Sequence, residues 1–363
     1  MTLSPKPGVL DIHPYVGGRA GAPGVSRVIK LSSNESPFGP SEAAIDAYCR
    51  VATDLATYPE GSSRLLREAL GAHYRIDAAR IVCGNGSDEI LTMLANAYLR
   101  PGDEALMSIY GFLVYKIATL ANSATPIEVA EPLLTMDVDS MLARVTGRTR
   151  LVYVANPNNP TGTYLTASEL RRLHAGLPAS VLLVIDAAYA EYVRRNDYDS
   201  GLDLVTRSDN VVMTRTFSKV YGLAGLRVGW AYCPGHVADT LNRVRGPFNV
   251  NVAAQSAAVA ALRDVAHTER SVAHNETWRS WLEREIRGLK LDITPSAANF
   301  VLIHFPDIAG RRAGDADRFL TNRGLILRGL GNYNLPNALR MTVGSEDANR
   351  MVVDSLREFM AAP

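Results

Sequence analysis

Short apolar segments alternate, along the middle of the chain, with segments in which apolar residues recur every three or four positions. The apolar segments are rich in β-branched side chains and predict buried strands at residues 81–83, 105–109, 127–130, 151–155, 181–185, 211–213 and 226–233. The segments between them predict helices, of which residues 90–99 show the spacing clearly. Strands and helices that alternate in this way favour an α/β fold, in which helices cover both faces of a mostly parallel sheet.

The ends of the chain carry weaker patterns. Residues 1–30 are rich in glycine and proline, which indicates an arm or, alternatively, a partly disordered terminus. A helix capped by Ser41 follows, helical spacing returns at 63–74, 252–262 and 271–290, and short apolar runs predict strands at 301–305, 324–328 and 339–344. We expect an N-terminal arm over residues 1–40 that is part of the small lobe, a large domain over 41–248 and a smaller α+β domain over 249–363.

Composition and charge exclude several kinds of protein. The 363 residues are 47% hydrophobic and 21% charged, which is typical of a soluble enzyme. A net charge of +1, without any basic run, argues against a nucleic-acid partner. No apolar run approaches the ~18 residues of a membrane span, and prolines stand near the N-terminus where a signal peptide needs an apolar core. We therefore expect a cytoplasmic protein without a membrane partner.

The three cysteines, Cys49, Cys83 and Cys233, lie far apart in the sequence. They are odd in number, form no CxxC motif and have no histidine at ligand spacing. This pattern predicts reduced cysteines that serve packing, with neither a disulfide framework nor a metal site.

Residues suited to chemistry follow the predicted strands, close to the positions where those strands end. They are Gly84–Ser87, Tyr110, Asn159, Asp186 and Thr216–Lys219. In α/β sheets, ligands bind beyond the carboxyl ends of the strands. We therefore expect these side chains to gather in one site.

Lys219 and Arg227 both lie within core-like sequence. Lysine is almost never buried unless it is paired or chemically used. A nearby guanidinium group and partial desolvation would lower the pKa of the amine and favour the neutral form, which a Schiff base with an aldehyde cofactor requires. Arg227, with the hydroxyl groups of Thr216 and Ser218, would then hold the phosphate of that cofactor. The alternative is a surface turn with ordinary charges.

Asp186 ends an apolar run, so its carboxylate needs a partner. It either caps a helix over residues 187–193 or forms an ion pair with the protonated nitrogen of a pyridine ring, which turns the ring into an electron sink. Tyr189 is near enough in the sequence to reach the same ring.

The sequence GNGSDE, residues 84–89, predicts a sharp turn that leads into a helix capped by Ser87 or Asp88. Its glycines expose backbone N–H groups beside a helix N-terminus, an arrangement that favours a phosphate. The motif lacks the GxGxxG spacing of dinucleotide-binding folds and fits a simple capped turn equally well.

The segment Thr-Phe-Ser-Lys-x-x-Gly-Leu-Ala-Gly-Leu-Arg-x-Gly, at residues 216–229, resembles the lysine segment of the fold type I pyridoxal-phosphate aminotransferases. The resemblance covers nearly the whole chain through LSSNESPFGP, YPEG, GNGSDE, NPNNPTG, DAAYAEY, PSAANF and LRMTVG. It implies a mostly parallel seven-stranded sheet flanked by helices, with a smaller α+β domain. Two departures stand out: Ser108 and Ile109 replace the family's Pro-Thr before Tyr110, and Ala187 replaces a glutamate.

The family also implies a cofactor, pyridoxal 5'-phosphate, and a role for each matching residue. Lys219 would hold the cofactor, Asp186 its ring nitrogen, and Asn159 and Tyr189 its phenolic oxygen, while Tyr110 would stack on the ring. The phosphate would be held by Gly86, Ser87, Asp88, Thr216, Ser218 and Arg227. Tyr58, in the YPEG turn, would reach the cofactor phosphate of the partner subunit, so the resemblance implies a homodimer with shared active sites.

The substrates follow from the same resemblance, which is strongest to the branch that transfers the amino group of L-histidinol phosphate to 2-oxoglutarate. Arg328 and Arg340 interrupt apolar runs and, as guanidinium groups, could bind a phosphate or a carboxylate. The alternative for Arg340 is a solvated position on the outer face of a strand. Tyr15 and Asn34 would complete the substrate site.

Three other functions stay open at this stage. An aromatic amino-acid aminotransferase, acting on phenylalanine or tyrosine, and a phosphothreonine decarboxylase would carry much the same cofactor residues. A non-catalytic sensor built on this fold would need a DNA-binding domain, for which we expect too little room before residue 31.

Overall fold

The computed structural model describes residues 3–21, 23–25 and 27–361. The strands formed by these residues are β1 (Ile29–Lys30), β2 (Ile81–Gly84), β3 (Glu104–Ser108), β4 (Thr125–Val129), β5 (Thr149–Ala155), β6 (Leu182–Asp186), β7 (Val211–Thr216), β8 (Gly229–Tyr232), β9 (Asp292–Thr294), β10 (Phe300–His304), β11 (Leu325–Ile326), β12 (Arg328–Leu330) and β13 (Leu335–Thr342). The helices are α1 (Glu42–Arg50), α2 (Arg64–Tyr74), α3 (Ser87–Tyr98), α4 (Leu113–Ala121), α5 (Val138–Ala143), α6 (Ala167–Gly176), α7 (Leu202–Arg207), α8 (Gly235–Val244), α9 (Val252–Arg263), α10 (Val265–Gly288), α11 (Ala313–Thr321) and α12 (Glu346–Ala361).

The largest sheet has seven strands in the order β2-β8-β7-β6-β5-β3-β4. All neighbouring pairs from β7 to β4 are parallel, and only β8 runs against its neighbours. This arrangement confirms the predicted mostly parallel sheet. Because β8 is antiparallel, its first residue lies at the edge where β2, β5, β6 and β7 end, so the loop before β8 also reaches that edge.

Both faces of this sheet are buried, which follows from the alternation of side chains along each strand. In β5, Val152 and Val154 belong to one apolar core, whereas Leu151 and Tyr153 belong to the other. Helices α6 and α9 contribute to the first core, and α3, α4 and α8 contribute to the second. The strands are therefore apolar at almost every position, and their polar residues are confined to the ends.

A second, antiparallel sheet has the order β12-β13-β10-β9 and shares an apolar core with α10, α11 and α12. Strand β1 pairs with β11, with Ile29 opposite Leu325. The segment before α1 is therefore joined to the C-terminal part of the chain. The domain boundaries at residues 40 and 248 stay a prediction.

Three local predictions were wrong. The strand expected over residues 226–233 begins only at Gly229, because Arg227 has a φ of 56° that a strand cannot accommodate. Neither Ser87 nor Asp88 caps α3; the N-cap is Gly86, with a φ of 81°. Cys49 is exposed and does not serve packing, whereas Cys83 and Cys233 are buried.

Within the part of the chain that the structure describes, no helix is both long enough and apolar enough to span a membrane.

Candidate active site

A cavity of about 250 Å³ lies at the carboxyl edge of the large sheet, where it meets the smaller one. Most of the residues proposed from the sequence line it: Tyr15, Asn34, Ser87, Asp88, Asn159, Asp186, Tyr189, Thr216, Ser218, Lys219, Arg227, Arg328 and Arg340. The structure therefore brings together side chains that are spread over more than 300 positions of the sequence.

Lys219 follows β7 and extends its amine into this cavity. Nζ donates a hydrogen bond of 3.1 Å to the carbonyl oxygen of Ser33 and lies 5.8 Å from the centre of the Tyr189 ring. Burial lowers the pKa of the amine to about 8, and the positive charge of Arg340 acts in the same direction. The amine is therefore much closer to its neutral, nucleophilic form at physiological pH than an exposed lysine would be.

Asp186 is the last residue of β6, and its carboxylate accepts hydrogen bonds from two hydroxyl groups. Tyr115 donates to Oδ2 at 2.8 Å, and Thr214 donates to Oδ1 at 3.0 Å. Burial raises the pKa of Asp186 to about 6, although both hydrogen bonds lower it. The alternative role as a helix cap is not supported, because only a short 3-10 turn, Ala190–Tyr192, follows.

Tyr189 is oriented by Asn34. The side-chain amide of Asn34 donates to the Tyr189 hydroxyl oxygen at 2.9 Å. Asn34 itself is fixed through its backbone: its N–H donates to Thr342 Oγ1 at 2.9 Å, and its carbonyl oxygen accepts from Asn299 Nδ2 at 3.0 Å. The N-terminal segment and the smaller sheet thus determine the direction of a tyrosine from the large domain.

Arg227 and the turn before α3 form a concave site lined by N–H and O–H donors; it also contains the carboxylate of Asp88, which accepts from Arg227 Nη2 at 3.3 Å. Arg227 Nη1 lies 3.5 Å from Ser218 Oγ, and Thr216 Oγ1 donates to Ser218 Oγ at 3.0 Å. A Cβ atom on Gly86 would lie 2.6 Å from Arg227 Nη2, so only glycine allows this approach. A guanidinium group, two hydroxyl groups and the first N–H groups of a helix are suited to binding a phosphate.

Arg340 and Arg328 lie on neighbouring strands, β13 and β12, and face each other in the register of the small sheet. Arg340 is buried; it donates from Nη1 to Asn159 Oδ1 and from Nη2 to the Ser32 carbonyl oxygen at 2.8 Å. Its Nε is buried without a partner among the described residues. The solvated position considered for Arg340 is therefore wrong, and its guanidinium group keeps N–H donors that a bound anion would satisfy.

Three predicted residues do not line the cavity. Gly86 lies directly behind Arg227, as described above. Tyr110 lies in the loop after β3, where its carbonyl oxygen accepts from Asn158 Nδ2 at 3.4 Å, and Phe112 lines the cavity on this side. Tyr58 is 81% exposed and stacks on Phe248 with ring centres 4.6 Å apart, so it does not contact the site of its own chain.

Several residues of the site had not been found from the sequence. They are Ser33, Phe112, Tyr115, Thr214 and Tyr333. Tyr115 and Thr214 lie within apolar helix and strand patterns, where nothing marks their hydroxyl groups as functional. Ser33 contributes only a backbone carbonyl, which any residue type would provide.

Residues 26–356 match the model of a known family, described as aminotransferase class I and II. This chain belongs to that family. Histidinol-phosphate aminotransferases of Rhodopseudomonas palustris strain BisB18 and of Nitrobacter winogradskyi are 58% and 57% identical to it, over 99% and 98% of each chain. A crystal structure of histidinol-phosphate aminotransferase from Sinorhizobium meliloti in complex with pyridoxal-5'-phosphate matches it with a TM-score of 0.84 at 27% identity, over 92% of this chain and 91% of that one.

The chain is therefore an aminotransferase, an enzyme whose substrates are amino and oxo acids and whose family depends on pyridoxal 5'-phosphate. The cavity fits that cofactor by its own chemistry. It offers a buried amine with a lowered pKa, a buried carboxylate and a concave donor site in which a glycine makes room for a guanidinium group.

Proposed function

We propose that this enzyme transfers the amino group of L-histidinol phosphate to 2-oxoglutarate, in histidine biosynthesis, with pyridoxal 5'-phosphate as its cofactor. One observation carries the proposal: two buried guanidinium groups, from Arg328 and Arg340, share a cavity with the amine of Lys219. The amino donor is a phosphate monoester, and the amino acceptor is a dicarboxylate. A guanidinium group binds either anion, so one pair of arginines serves both half-reactions.

The cofactor would be held by residues of several strand ends. Lys219 would bind the aldehyde carbon of the cofactor, and Asp186 would pair with its ring nitrogen. Asn159 and Tyr189 would form hydrogen bonds with its phenolic oxygen, and Tyr110 would stack on its ring. Its phosphate would be held by Gly86, Ser87, Asp88, Thr216, Ser218 and Arg227. When bound, it supplies a ring that withdraws electrons from the α-carbon of the substrate.

The residues of the chain then provide proton transfer and orientation. Lys219, with a pKa of about 8, is neutral in part of the molecules at neutral pH and accepts a proton from the α-carbon. Asp186 would keep a proton on the ring nitrogen through its negative charge. Tyr189, oriented by Asn34, would donate a hydrogen bond to the phenolic oxygen.

The substrate would lie between the arginines and an aromatic wall. Tyr15, Phe112 and Tyr333 line the cavity together with Arg328 and Arg340. Such a wall fits an imidazole ring, and it equally fits the rings of phenylalanine and tyrosine. An aromatic amino-acid aminotransferase is therefore the second candidate function.

The active enzyme would be a homodimer. Tyr58 is 81% exposed and held by Phe248, an arrangement suited to a tyrosine that completes the site of the partner subunit. Ile45 and Tyr48, on the exposed side of α1, are 46% and 47% exposed and add apolar surface for such an interface. Sedimentation of the purified protein at micromolar concentration should give twice the mass of the chain; a monomer would contradict the shared site.

The cytoplasmic location stays a prediction.

The donor is tested by steady-state kinetics with 2-oxoglutarate as acceptor. We expect kcat/KM for histidinol phosphate to exceed that for phenylalanine and tyrosine by at least about tenfold, because a charge-assisted phosphate contact contributes about 1.5–3 kcal/mol. Preference for phenylalanine would establish the second candidate instead. Release of carbon dioxide from phosphothreonine would indicate a decarboxylase. Lys219→Ala, which lacks the amine, is the control and should show no transamination.

A further inference from the structure

The segment of residues 15–19 forms part of the wall of the active-site cavity. Tyr15 and Gly18 line the cavity. The carbonyl oxygen of Val16 accepts a hydrogen bond of 2.8 Å from Arg328 Nη2, so this segment also positions one of the two proposed anion-binding arginines.

Gly18 brings the segment into close contact with the residues that precede α1. A Cβ atom at this position would lie 2.5 Å from Ser32 Oγ and 2.8 Å from Ser33 Oγ. Ser32 Oγ also donates to the carbonyl oxygen of Arg19 at 2.9 Å. Because Ser33 provides the carbonyl that accepts from Lys219, the segment packs directly against the region that surrounds the reactive amine.

Apolar packing contributes little to holding this segment in place. Residues 11–20, all of which the structure describes, include no buried residue, and Val16 is 69% exposed. A segment with so little buried apolar surface opens easily unless polar contacts fix it.

Arg19 provides such a contact on the far side of the segment. Its Nη2 donates to both carboxylate oxygens of Asp317, at 2.6 and 2.7 Å, and lies 3.1 Å from Thr321 Oγ1. Asp317 and Thr321 both belong to α11, which is anchored in the core of the smaller sheet through Ala316 and Leu320. The ion pair therefore joins an exposed segment to a rigid helix.

We propose that Arg19 is a positioning residue for substrate binding, and that its ion pair with Asp317 keeps residues 15–19 closed against the cavity. The inference rests on the proposed function of that cavity. Loss of the pair opens the segment, so Tyr15 leaves the wall and Arg328 loses its backbone partner. Substrate binding must then also close the segment, which raises the KM of both substrates, whereas kcat at saturation changes little.

Kinetics with a double-mutant cycle tests the pair. We expect Arg19→Ala and Asp317→Asn each to raise the KM of histidinol phosphate and of 2-oxoglutarate about fivefold, with kcat within about twofold of the wild type. The double variant should be no worse than either single variant, because both changes remove the same contact. The control is Glu358→Gln, which removes another surface ion pair, with Arg323, from the same lobe without touching the segment; Glu358 is more exposed than Asp317.

Hydrogen exchange, followed by mass spectrometry, tests the same pair without relying on turnover. Peptides covering residues 11–20 should exchange faster in Arg19→Ala and Asp317→Asn than in the wild type or in Glu358→Gln. Unchanged exchange, additive losses in the double variant, or a KM no higher than that of Glu358→Gln would overturn the proposal. Failure of the wild type to use histidinol phosphate, with exchange altered as expected, would overturn the substrate and leave the ion pair established.

Discussion

The hydroxyl group of Tyr115 donates a hydrogen bond of 2.8 Å to Asp186, the carboxylate proposed to face the ring nitrogen of the cofactor. Both residues are buried, and Tyr115 comes from α4, an element separate from the strand that carries Asp186. Burial pushes the pKa of Asp186 up to about 6, and the hydrogen bond from Tyr115 opposes that rise. Tyr115 therefore helps to keep this carboxylate charged at neutral pH.

Replacement of Tyr115 by phenylalanine should shift the activity profile toward higher pH. Without the hydroxyl group, the pKa of Asp186 rises further, because a hydrogen bond to a charged group contributes about 1.5–3 kcal/mol. We expect the acidic limb of kcat/KM to move upward by about one pH unit, so that activity at pH 6 falls about fivefold while activity at pH 8.5 falls less than about threefold. The measurement is a pH–rate profile with histidinol phosphate.

Tyr153 provides the matched control for this change. Its ring stacks on that of Tyr115, with centres 4.7 Å apart, and its buried hydroxyl group has no partner among the described residues. Tyr153→Phe removes the same atom from the same stack without touching Asp186, so the acidic limb should stay where it is. An equal shift in both variants would show that the stack, and not the hydrogen bond, controls the carboxylate.

Sequence patterns were enough to find the sheet and most of the site, for a physical reason. Except for the edge strand β4, the strands are buried on both faces and apolar along most of their length, so the polar residues at their ends stand out. Asp186 and Lys219 were both found in this way, and the parallel arrangement of β6 and β7 places them at one edge.

The rest of the site could not be predicted from such patterns, because it depends on contacts between distant segments. Arg340 donates a hydrogen bond to the carbonyl oxygen of Ser32, a residue 308 positions away in the sequence, and no local sequence pattern predicts that contact. Arg227 looked like part of a strand, yet its left-handed backbone turns its side chain toward Gly86. Tyr115 has the spacing of an ordinary core residue, and only the packed structure shows that its hydroxyl group meets a carboxylate.

Gly86→Ala should strongly weaken cofactor binding. The new Cβ atom would lie 2.6 Å from Arg227 Nη2 and push the guanidinium group out of the proposed phosphate site. We expect the Kd for pyridoxal phosphate, measured by spectrophotometric titration, to rise at least about tenfold, since a charge-assisted contact is lost. Gly102→Ala is the control: Gly102 also has a positive φ, 92°, but no neighbouring atom lies within 4 Å of the added Cβ. Gly86 has a φ of 81° and a ψ of 167°, a region essentially open only to glycine, so Gly86→Ala also carries a backbone strain of about 1–3 kcal/mol, whereas Gly102→Ala reports the effect of a positive φ without the steric contact. A similar loss of affinity in both would refute the steric explanation.

Arg340 and Arg328 should differ in their effect on Lys219. The positive charge of Arg340 contributes to the lowered pKa of Lys219, about 8, whereas Arg328 is not among its main causes. Arg340→Gln should therefore raise the pKa of Lys219, so that the pH midpoint for the rate of cofactor association moves above about 8. Arg328→Gln should leave that midpoint unchanged, and both variants should raise the KM of each substrate about tenfold. Stopped-flow absorbance between pH 6 and pH 10 measures the midpoint, and an equal shift in both variants would contradict the assignment.

Glu131 is a buried acid outside the proposed chemistry, and it should make stability depend on pH. Glu131 comes two residues after β4 and is 9% exposed. Neither oxygen of its carboxylate has a hydrogen-bond partner among the described residues. Burial raises the pKa of this carboxyl from 4.5 to about 7; the hydroxyl group of Ser108 is near enough to offset that rise in part, although it does not form a hydrogen bond with the carboxylate. In the folded protein Glu131 thus keeps its proton at a pH where the unfolded chain has lost it.

The sign of the effect follows from that difference. Between pH 4.5 and about 7 the folded state binds more protons than the unfolded state, so the free energy of unfolding falls as the pH rises, by about 3 kcal/mol in total. The side chain in Glu131→Gln cannot titrate, so the stability of this variant should depend less on pH. The fall in Tm from pH 5 to pH 8 should be about 4 °C smaller in the variant than in the wild type. Glu128→Gln, at a partly exposed acid of β4 that pairs with Lys116, is the control and should keep the slope of the wild type. Thermal unfolding by circular dichroism across this range measures all three proteins. If Glu131→Gln runs parallel to the wild type, Glu131 does not titrate between these pH values and another buried acid is responsible for the slope.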